Sequence, residues 1–348
     1  MTSPSFALEN RQVGSGHPPL VMAEIGINHE GSLDKALRMV DDAARAGCEC
    51  VKFQCHVVES EMIPNDVVPG NADESIWQMM QRCALSEEED ETIRRAVEDR
   101  GMIYLSTPFS RAAADRLERM GVSAYKIGSG ECNNYPLVRH IAGFQKPVIL
   151  STGMNDVASI RPAVEILRAA GVPFALMHCT SMYPTPYERV RLGAVEVLKN
   201  EFPDAVLGLS DHSIGNYTCF AAAALGASLL EKHFTSDPEW PGPDIPISID
   251  PHGLEDLIRG ARAIHAALGG AKDILPDEAP TIAFAYASVV STRAISRGET
   301  FTEENIWVKR PGTGDFLAAS YEELLGRVAA RDIGADRQIA RDDVVSGG

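Results

Sequence analysis

The sequence predicts an α/β fold: a (β/α)8 barrel of the TIM type followed by a small β-rich domain. Eight short apolar runs recur along the chain, and each is followed by a segment with helical periodicity. Alternation of strand and helix eight times is the pattern of a parallel barrel, in which functional groups gather at the carboxyl ends of the strands. The runs lie near residues 20–24, 50–54, 102–106, 124–128, 147–151, 173–179, 205–210 and 228–233.

The segments between the runs have the pattern of amphipathic helices. Leu33–Ala46, Ser86–Arg100, Val157–Ala170 and Gly253–Leu268 carry apolar residues at spacings of three and four, with polar residues between them. The alternative is an open, doubly wound sheet. No G-x-G-x-x-G sequence follows the first strand, so the barrel is favoured.

The character of the chain changes after Gly269-Gly270. The segment Lys272–Pro280 is polar with two prolines, and Ser288–Val345 has short β-like runs and glycine-rich turns. A chain of 348 residues is also longer than a barrel alone requires, since barrels commonly have about 250 residues. We therefore predict a barrel domain at 1–270, a linker at 271–282 and a small domain at 283–348.

Composition excludes several classes of protein. Acidic residues outnumber basic ones by 49 to 32, and the formal charge of −17 disfavours binding to nucleic acid or to anionic membranes. No apolar run reaches the roughly 18 residues that span a bilayer, and the N-terminus lacks the layout of a signal peptide. The seven cysteines have no metal-type or redox-type spacing, so we expect reduced thiols and a soluble, cytoplasmic protein.

Polar side chains end all eight predicted strands. A barrel strand buried on both faces should be almost purely aliphatic, so this pattern predicts one ligand-filled mouth. A serine after a strand is also a common N-cap of the next helix, and that alternative stays open for Ser106, Ser110 and Ser213. The candidate residues at the strand ends are Glu24, Lys52, Gln54, Lys126, Ser129, Ser151, Ser181, Tyr183, Ser210, His212, Glu231 and His233.

Two lysines predict an anion site. Lys52 and Lys126 lie inside apolar runs, where an unpaired ammonium group would be costly, so we expect each to have an anionic partner. A structural ion pair with the chain's own carboxylates is the alternative. In a chain with so large a negative charge, a pair of buried lysines favours a bound anion.

Two histidines are candidate metal ligands. His212 and His233 close the seventh and eighth strands, which are neighbours in a barrel, so neutral imidazoles there can share one divalent ion. A histidine whose hydrogen bonds are satisfied in the core is the alternative for either one. Glu231 can orient a metal-bound water, and Asp244 follows in a Pro-Gly-Pro-Asp loop, which favours the metal site.

The chain resembles the sialic acid synthase family in a series of motifs that occur in order from about residue 20 to the end. The C-terminal Ser288–Val345, with its Ile306–Gly314 stretch, is similar to the antifreeze-like (β-clip) domain of those enzymes. Within the family the resemblance is closest to bacterial N-acetylneuraminate synthases, whose Pro-Gly-Asn-Ala-Asp loop is matched by Pro69–Asp73. The other motifs are Ala23–Gly31, Ser106–Ser110, Tyr125–Glu131, Leu150–Met154, His178–Pro186, Gly208–Ser213, Glu231–Thr235 and Pro241–Asp244.

The resemblance implies roles for individual residues. His212 and His233 match two manganese ligands, although magnesium or cobalt could also serve. Arg310 matches an arginine that reaches the substrate's N-acyl group from the second domain, and the family implies a domain-swapped homodimer. The match to the phosphoenolpyruvate-binding positions covers Lys52, Lys126, Ser129, Ser151 and Ser210, and the match to the sugar-binding positions covers Glu24, Gln54, Tyr183 and Asp244.

One position departs from the family pattern. Bacterial relatives usually have asparagine where this chain has Ser181, among the groups that bind phosphate. Serine keeps a hydroxyl donor but is shorter, so a water molecule can take the place of the amide. We therefore predict Ser181 as a contact of the phosphate.

The resemblance implies condensation of phosphoenolpyruvate with N-acetylmannosamine to give N-acetylneuraminate and phosphate. In this chemistry a metal held by His212 and His233 acts as a Lewis acid on the sugar aldehyde, Glu24 manages protons, and phosphate leaves by C–O cleavage. The 2,4-diacetamido-trideoxyhexoses that lead to legionaminic or pseudaminic acid are alternative substrates. A Schiff-base aldolase with Lys126 or Lys52 as nucleophile, and a non-enzymatic ice-binding module, are further alternatives.

Overall fold

The structure is a computed structural model that describes residues 4–345. The chain divides into two compact units, Met1–Gly269 and Gly270–Gly348. The sequence predicted a boundary one residue later. Among the residues described, no helix is both long and apolar enough to cross a membrane.

The first unit begins with a β-hairpin that the sequence analysis did not predict. Strands β1 (Ser5–Leu8) and β2 (Arg11–Gly14) pair antiparallel, with Leu8 opposite Arg11. The hairpin buries Phe6, Leu8 and Val13 against apolar residues from the N-terminal halves of the strands that follow. It therefore covers the N-terminal end of the larger sheet.

Eight parallel strands form a nearly closed barrel, which confirms the predicted fold class. Each predicted apolar run corresponds to one strand. Hydrogen bonding joins the strands in the order β5-β4-β3-β10-β9-β8-β7-β6, and β5 and β6 lie side by side at the remaining seam. The strands are β3 (Leu20–Gly26), β4 (Cys50–Cys55), β5 (Ile103–Pro108), β6 (Tyr125–Ile127), β7 (Val148–Ser151), β8 (Phe174–Cys179), β9 (Val206–Asp211) and β10 (Leu229–His233).

Helices connect the strands, and several begin at a polar N-cap. Ser32, Ser86, Ser110 and Asp156 each accept a hydrogen bond from a backbone N–H of the first helical turn, as the first N–H groups of a helix require. The helices are α1 (Leu33–Arg45), α2 (Val58–Glu61), α3 (Ile76–Cys83), α4 (Glu87–Glu98), α5 (Arg111–Met120), α6 (Tyr135–Ala142), α7 (Val157–Ala170), α8 (Tyr187–Val190), α9 (Gly193–Glu201), α10 (Tyr217–Ala224) and α11 (Pro251–Ala267), with a 3-10 turn at Ile245–Ile247.

The core of the barrel unit has two layers because successive side chains of a strand point to opposite faces. Outward residues such as Val51, Ile127 and Leu230 pack against the helices in the larger cluster. Inward residues such as Met22, Leu105 and Leu229 fill the lower part of the barrel, above the hairpin. The strands thus present their remaining inward positions at the upper, carboxyl end.

The second unit is small and built around one antiparallel strand pair. Strands β11 (Ser288–Ser291) and β12 (Ile306–Lys309) pair over an apolar core that includes Val289, Phe301 and Ile339. The predicted linker at 271–282 contains a 3-10 turn, Pro276–Glu278, and the start of a helix. The helices of this unit are α12 (Ala279–Ala285) and α13 (Tyr321–Leu324), with further 3-10 turns at Ala318–Ser320 and Arg341–Asp343.

Candidate active site

A cavity of about 380 Å³ opens at the carboxyl ends of the barrel strands. This volume suits small metabolites. Pro69, Gly70 and Asn71, from the loop between α2 and α3, also line it. Among the residues proposed from the sequence, the cavity is lined by Glu24, Lys52, Gln54, Lys126, Ser129, Ser151, Ser181, Tyr183, Ser210, His212, Glu231 and His233.

Four charged side chains of opposite sign lie at the bottom of the cavity. The Nζ of Lys52 lies 2.6 Å from an oxygen of Glu24 and 3.8 Å from one of Glu231. The Nζ of Lys126 lies 3.0 Å from the other oxygen of Glu231. All four residues are at most 5% exposed. The cluster therefore pairs two lysines with two carboxylates and is shielded from solvent.

The structure shows partners for the two lysines that the sequence placed in an anion site. Lys52 and Lys126 each have a carboxylate of the chain as a partner, as the alternative of internal ion pairs expected. Binding of an external anion by the same two lysines stays a prediction. Glu24 is 28 positions from Lys52 and Glu231 is 105 positions from Lys126, so neither pairing was visible in the apolar runs.

The two carboxylates experience different environments. Burial raises the pKa of Glu24 above its ordinary value, and the opposing effect of Lys52 is smaller. Burial would also raise the pKa of Glu231, but Lys126 and Lys52 outweigh it and bring that pKa to about 2. Two carboxylates whose pKa values are driven apart can take separate acid and base roles. Glu24 is the one better suited to accept a proton.

The lysines differ in the same way. Burial lowers the pKa of Lys126, and Glu231 offsets this effect only in part. For Lys52, burial acts in the same direction, but Glu231 and Glu24 together outweigh it and raise the pKa. Lys52 is therefore the more strongly held cation of the two.

His212 and His233 face each other at the end of neighbouring strands. Their ring centroids are 5.4 Å apart. The Nδ1 of His212 donates to the carbonyl oxygen of Thr180 at 2.9 Å, so in the neutral ring the lone pair is on Nε2. The Nδ1 of His233 is buried without a hydrogen-bond partner and lies 3.8 Å from an oxygen of Asp244.

These features fit a divalent metal ion. Burial, followed by the nearby His212, lowers the pKa of His233 well below its ordinary value, so its ring is neutral as a ligand must be. Within residues 4–345, no cluster of three or more His, Cys, Asp or Glu side chains is arranged to hold a metal. An ion on this pair would therefore take its other ligands from water and substrate.

Serine hydroxyls surround the lysine side of the cavity. The Oγ of Ser151 is buried without a partner, and Ser210 donates to Glu231 at 2.8 Å. A Cβ at Gly153 would lie 2.5 Å from the Oγ of Ser181 and 2.8 Å from that of Ser129, so only glycine lets these two hydroxyls approach the turn. The result is a small cradle of donors beside the lysines, of the kind that binds an oxyanion.

Other groups in and beside the cavity are suited to a polyhydroxylated ligand. Tyr183 stacks on His212 with ring centroids 4.2 Å apart. Gln54 donates to Glu24 at 3.2 Å. Asp244 is buried, and burial raises its pKa to about 6. Asn71 donates to the carbonyl oxygen of Pro243 at 3.2 Å and so joins two loops that border the site.

Two proposed residues lie outside the cavity lining. Asp244 approaches it only through His233, as described above. Arg310 belongs to the second unit, directly after β12, and is exposed there. Its proposed role in binding substrate stays a prediction.

Some residues of the site were missed by the sequence analysis. His56 follows β4, and its two ring nitrogens lie 3.0 Å from Gln54 Oε1 and 2.8 Å from Glu61. Thr107 accepts a hydrogen bond from Lys52 at 3.2 Å. Cys179 lines the cavity beside His212. The polar ends of β4, β5 and β8 were the available signal, but spacing alone does not say which side chain pairs with which.

The N-cap alternative applies to only one of three serines. Ser110 caps α5 by accepting from the backbone N–H of Ala113 at 3.1 Å. Ser106 lies inside β5, and its buried Oγ has no partner. Ser213 instead donates to Asp211 at 3.0 Å, in the wall of the barrel.

Comparison with known proteins agrees with this architecture. The sequence profile of the NeuB family matches residues 39–273, and that of the SAF domain matches residues 286–345. The chain is 36% identical to the N,N'-diacetyllegionaminic acid synthase of Campylobacter jejuni, over 92% of this chain and 98% of that protein.

Solved structures give the same result. The N-acetylneuraminic acid synthetase of Leptospira borgpetersenii matches with a TM-score of 0.74 and 31% identity, over 80% of this chain and 95% of that one. The spore coat polysaccharide biosynthesis protein SpsE of Bacillus subtilis matches with a TM-score of 0.68 and 34% identity, over 99% and 100%. The chain therefore belongs to the NeuB family of sialic acid synthases and carries a C-terminal antifreeze-like SAF domain.

Proposed function

We propose that this enzyme condenses phosphoenolpyruvate with N-acetylmannosamine and water to give N-acetylneuraminate and phosphate. One observation carries the proposal: a single cavity combines two buried lysines, a cradle of serine hydroxyls and two facing imidazoles. The first two groups suit the phosphate and carboxylate of phosphoenolpyruvate. The imidazoles suit a divalent ion, with manganese expected.

The chain's own residues bind and orient the two substrates. Lys52 and Lys126 neutralise the anionic substrate, and the free hydroxyl of Ser151 donates to it. A divalent ion on His212 and His233 would supply Lewis acidity toward the sugar's aldehyde oxygen. Glu24, with its raised pKa, gives or takes the proton at the sugar.

The reaction needs no reactant other than phosphoenolpyruvate, the sugar and water. A bond forms between C3 of phosphoenolpyruvate and the aldehyde carbon, and the aldehyde oxygen takes a proton. Water adds at C2 of phosphoenolpyruvate, and the resulting tetrahedral intermediate expels phosphate by breaking the C2–O bond. Reaction in labelled water should therefore place the label in the keto acid, and label in phosphate would mean attack at phosphorus instead.

A second candidate product is legionaminic acid. The 36% identity to the Campylobacter jejuni synthase favours it, because that protein is named for N,N'-diacetyllegionaminic acid. The deciding experiment is assay of the purified protein with phosphoenolpyruvate and each sugar in turn: N-acetylmannosamine and the 2,4-diacetamido-trideoxyhexoses of the legionaminic and pseudaminic type. The first proposal is supported if kcat/KM for phosphate release is highest with N-acetylmannosamine. A higher kcat/KM with a diacetamido sugar would make that sugar the proposed substrate instead.

We also propose that the site is completed in a domain-swapped homodimer, with Arg310 supplied by the partner. Large apolar side chains are exposed in the segments that follow β7, β8 and β9, among them Met154 at 72% and the first residues of α8 and α10, Tyr187 at 53% and Tyr217 at 74%. Exposed side chains of this kind around a mouth are a common sign of a protein interface. A second copy of this chain would cover them.

Complementation tests the swapped arrangement. The inactive variants His212→Ala and Arg310→Ala are dissociated together and reassembled, which makes about half of the dimers mixed. If Arg310 acts in trans, each mixed dimer has one intact site, so about a quarter of all sites should work. Activity no greater than the sum of the parents, with mixed dimers demonstrated by differently tagged chains, would exclude the swap.

A further inference from the structure

A buried ion pair lies in the wall of the barrel, directly behind the two histidines. Lys232 is fully buried and Asp211 is 2% exposed. The Nζ of Lys232 lies 2.6 Å from Oδ2 of Asp211, and the two residues are register partners on β10 and β9. Since Glu231 and His233 face the cavity, the intervening Lys232 faces outward into the apolar layer.

Asp211 holds the backbone on both sides of His212. Its Oδ1 accepts from the backbone N–H of Ser213 at 3.1 Å, and its Oδ2 accepts from the Ser213 hydroxyl at 3.0 Å. Thr218, at the start of α10, donates to the same Oδ2 at 2.7 Å. Lys232 also donates to the carbonyl oxygen of Ser213. These contacts therefore fix Asp211 and Ser213, the residues on either side of His212.

Stability alone does not account for this pair. Burying two charges is costly, and replacing a buried ion pair by uncharged residues of similar size is often neutral or stabilising. The pair can instead orient the two histidines, because Asp211 directly precedes His212 in the chain and Lys232 directly precedes His233. Groups that orient metal-binding histidines commonly change metal affinity by about 10-fold to 100-fold when removed.

We propose that Asp211 and Lys232 are positioning residues that set the spacing and orientation of His212 and His233 for a divalent cation. The inference rests on the proposed role of the histidines as metal ligands. It assigns to the outer face of β9 and β10 a function that the cavity lining does not reveal.

The test is manganese binding to the whole chain without substrates. The double variant Asp211→Asn/Lys232→Met removes both charges and keeps most of the volume. The matched control Asp90→Asn/Arg116→Met removes another ion pair, in which the half-buried Arg116 on α5 lies 2.9 Å from the buried Asp90 on α4. Free Mn²⁺ is measured by electron paramagnetic resonance, and unfolding is followed by urea titration.

We expect the first double variant to fold and to bind Mn²⁺ about 10-fold to 100-fold more weakly, with turnover recovering at high Mn²⁺. The control should bind Mn²⁺ as the wild type does. Unchanged Mn²⁺ affinity in the folded first variant would overturn the proposal, with or without a loss of stability. If the wild-type chain and His212→Ala bind Mn²⁺ equally weakly, the metal site itself is absent and the proposed function fails first.

A milder variant keeps the test decisive if the double variant does not fold. Thr218→Val preserves shape but removes one of the hydroxyl groups that hold Asp211. A several-fold loss of Mn²⁺ affinity is expected, and an affinity equal to that of the wild type in this folded variant would overturn the proposal.

Discussion

The lower and upper halves of the barrel interior are built from the same strands but have opposite chemistry. At the lower end, inward positions are apolar: Met22, Cys50, Ala124 and Leu229 are all completely buried or nearly so. Two residues further along each of these four strands, the inward position is charged. The charged residues are Glu24, Lys52, Lys126 and Glu231.

The difference indicates that the lower half of the barrel interior serves mainly stability and the upper half mainly function. The lower layer packs on the β1–β2 hairpin and excludes water, so its contribution is that of a hydrophobic core. The upper layer buries four charges that a packed apolar layer would replace at little cost or with a gain. We therefore expect substitutions in the lower layer to change mainly stability, and substitutions in the upper layer to change catalysis as well.

Removal of the metal should have the largest effect. Exhaustive chelation should abolish turnover, by about a thousandfold or more if the ion contributes several kcal/mol, and Mn²⁺ should restore it best. The free energy of unfolding should change far less, since the proposed ion would contact only the upper end. Full steady-state activity after chelation, with residual metal measured, would remove the Lewis acid from the mechanism.

The substitution Lys126→Met should lower both the stability of the protein and its affinity for phosphoenolpyruvate. It leaves Glu231 buried without its main partner, so the free energy of unfolding should fall by about 3–5 kcal/mol. Affinity for phosphoenolpyruvate should fall about tenfold or more, because a charge-assisted hydrogen bond is lost.

A second substitution separates these two effects. In Lys126→Met/Glu231→Gln most of the stability should return, while phosphoenolpyruvate still binds weakly. Lys146→Met, which breaks the more exposed pair with Glu118, is the matched control and should alter neither quantity appreciably. Wild-type affinity for phosphoenolpyruvate in the Lys126 variant would mean that this lysine serves only the internal ion pair.

In the lower layer, Leu229→Ala should destabilise without changing catalysis. The side chain is completely buried, so the cavity should cost about 2–5 kcal/mol of unfolding free energy. The values of kcat and KM, measured well below the melting temperature, should stay near those of the wild type. A large fall in kcat would show that the two layers are mechanically coupled rather than separate.

The smallest expected effect is a dependence of the free energy of unfolding on pH, which arises from His29. Burial, followed by repulsion from His56, lowers the pKa of His29 from 6.5 to about 4, and attraction by Glu89 is weaker. Its Nδ1 accepts from the Gly31 backbone N–H at 3.0 Å, so protonation would break that bond. The folded state binds fewer protons than the unfolded state between these values, so stability is complete above pH 6.5 and falls toward pH 4.

The measurement compares urea unfolding of the wild type and of His29→Asn from pH 7 to pH 4. The wild type should lose up to about 3 kcal/mol more than the variant over this range. Parallel curves would mean that His29 is protonated equally easily in both states.

The strands were predicted well because each is a short apolar run with a clear boundary. All eight correspond within a few residues, and α7 spans the predicted Val157–Ala170. The β1–β2 hairpin was missed because its strands have only four residues each and its buried face is completed by the barrel. Local pattern signals the strands of the sheet more strongly than the element that covers its end.

By itself, the sequence determined the barrel and the polar character of its mouth, because alternation along a strand and the ends of apolar runs are local properties. Only the tertiary structure decided which charges meet. Lys126 pairs with Glu231 across the barrel, and Lys232 pairs with Asp211 in its wall, through contacts between residues 105 and 21 positions apart. Such pairings depend on strand register and on which face each side chain takes, and these are set when the sheet closes.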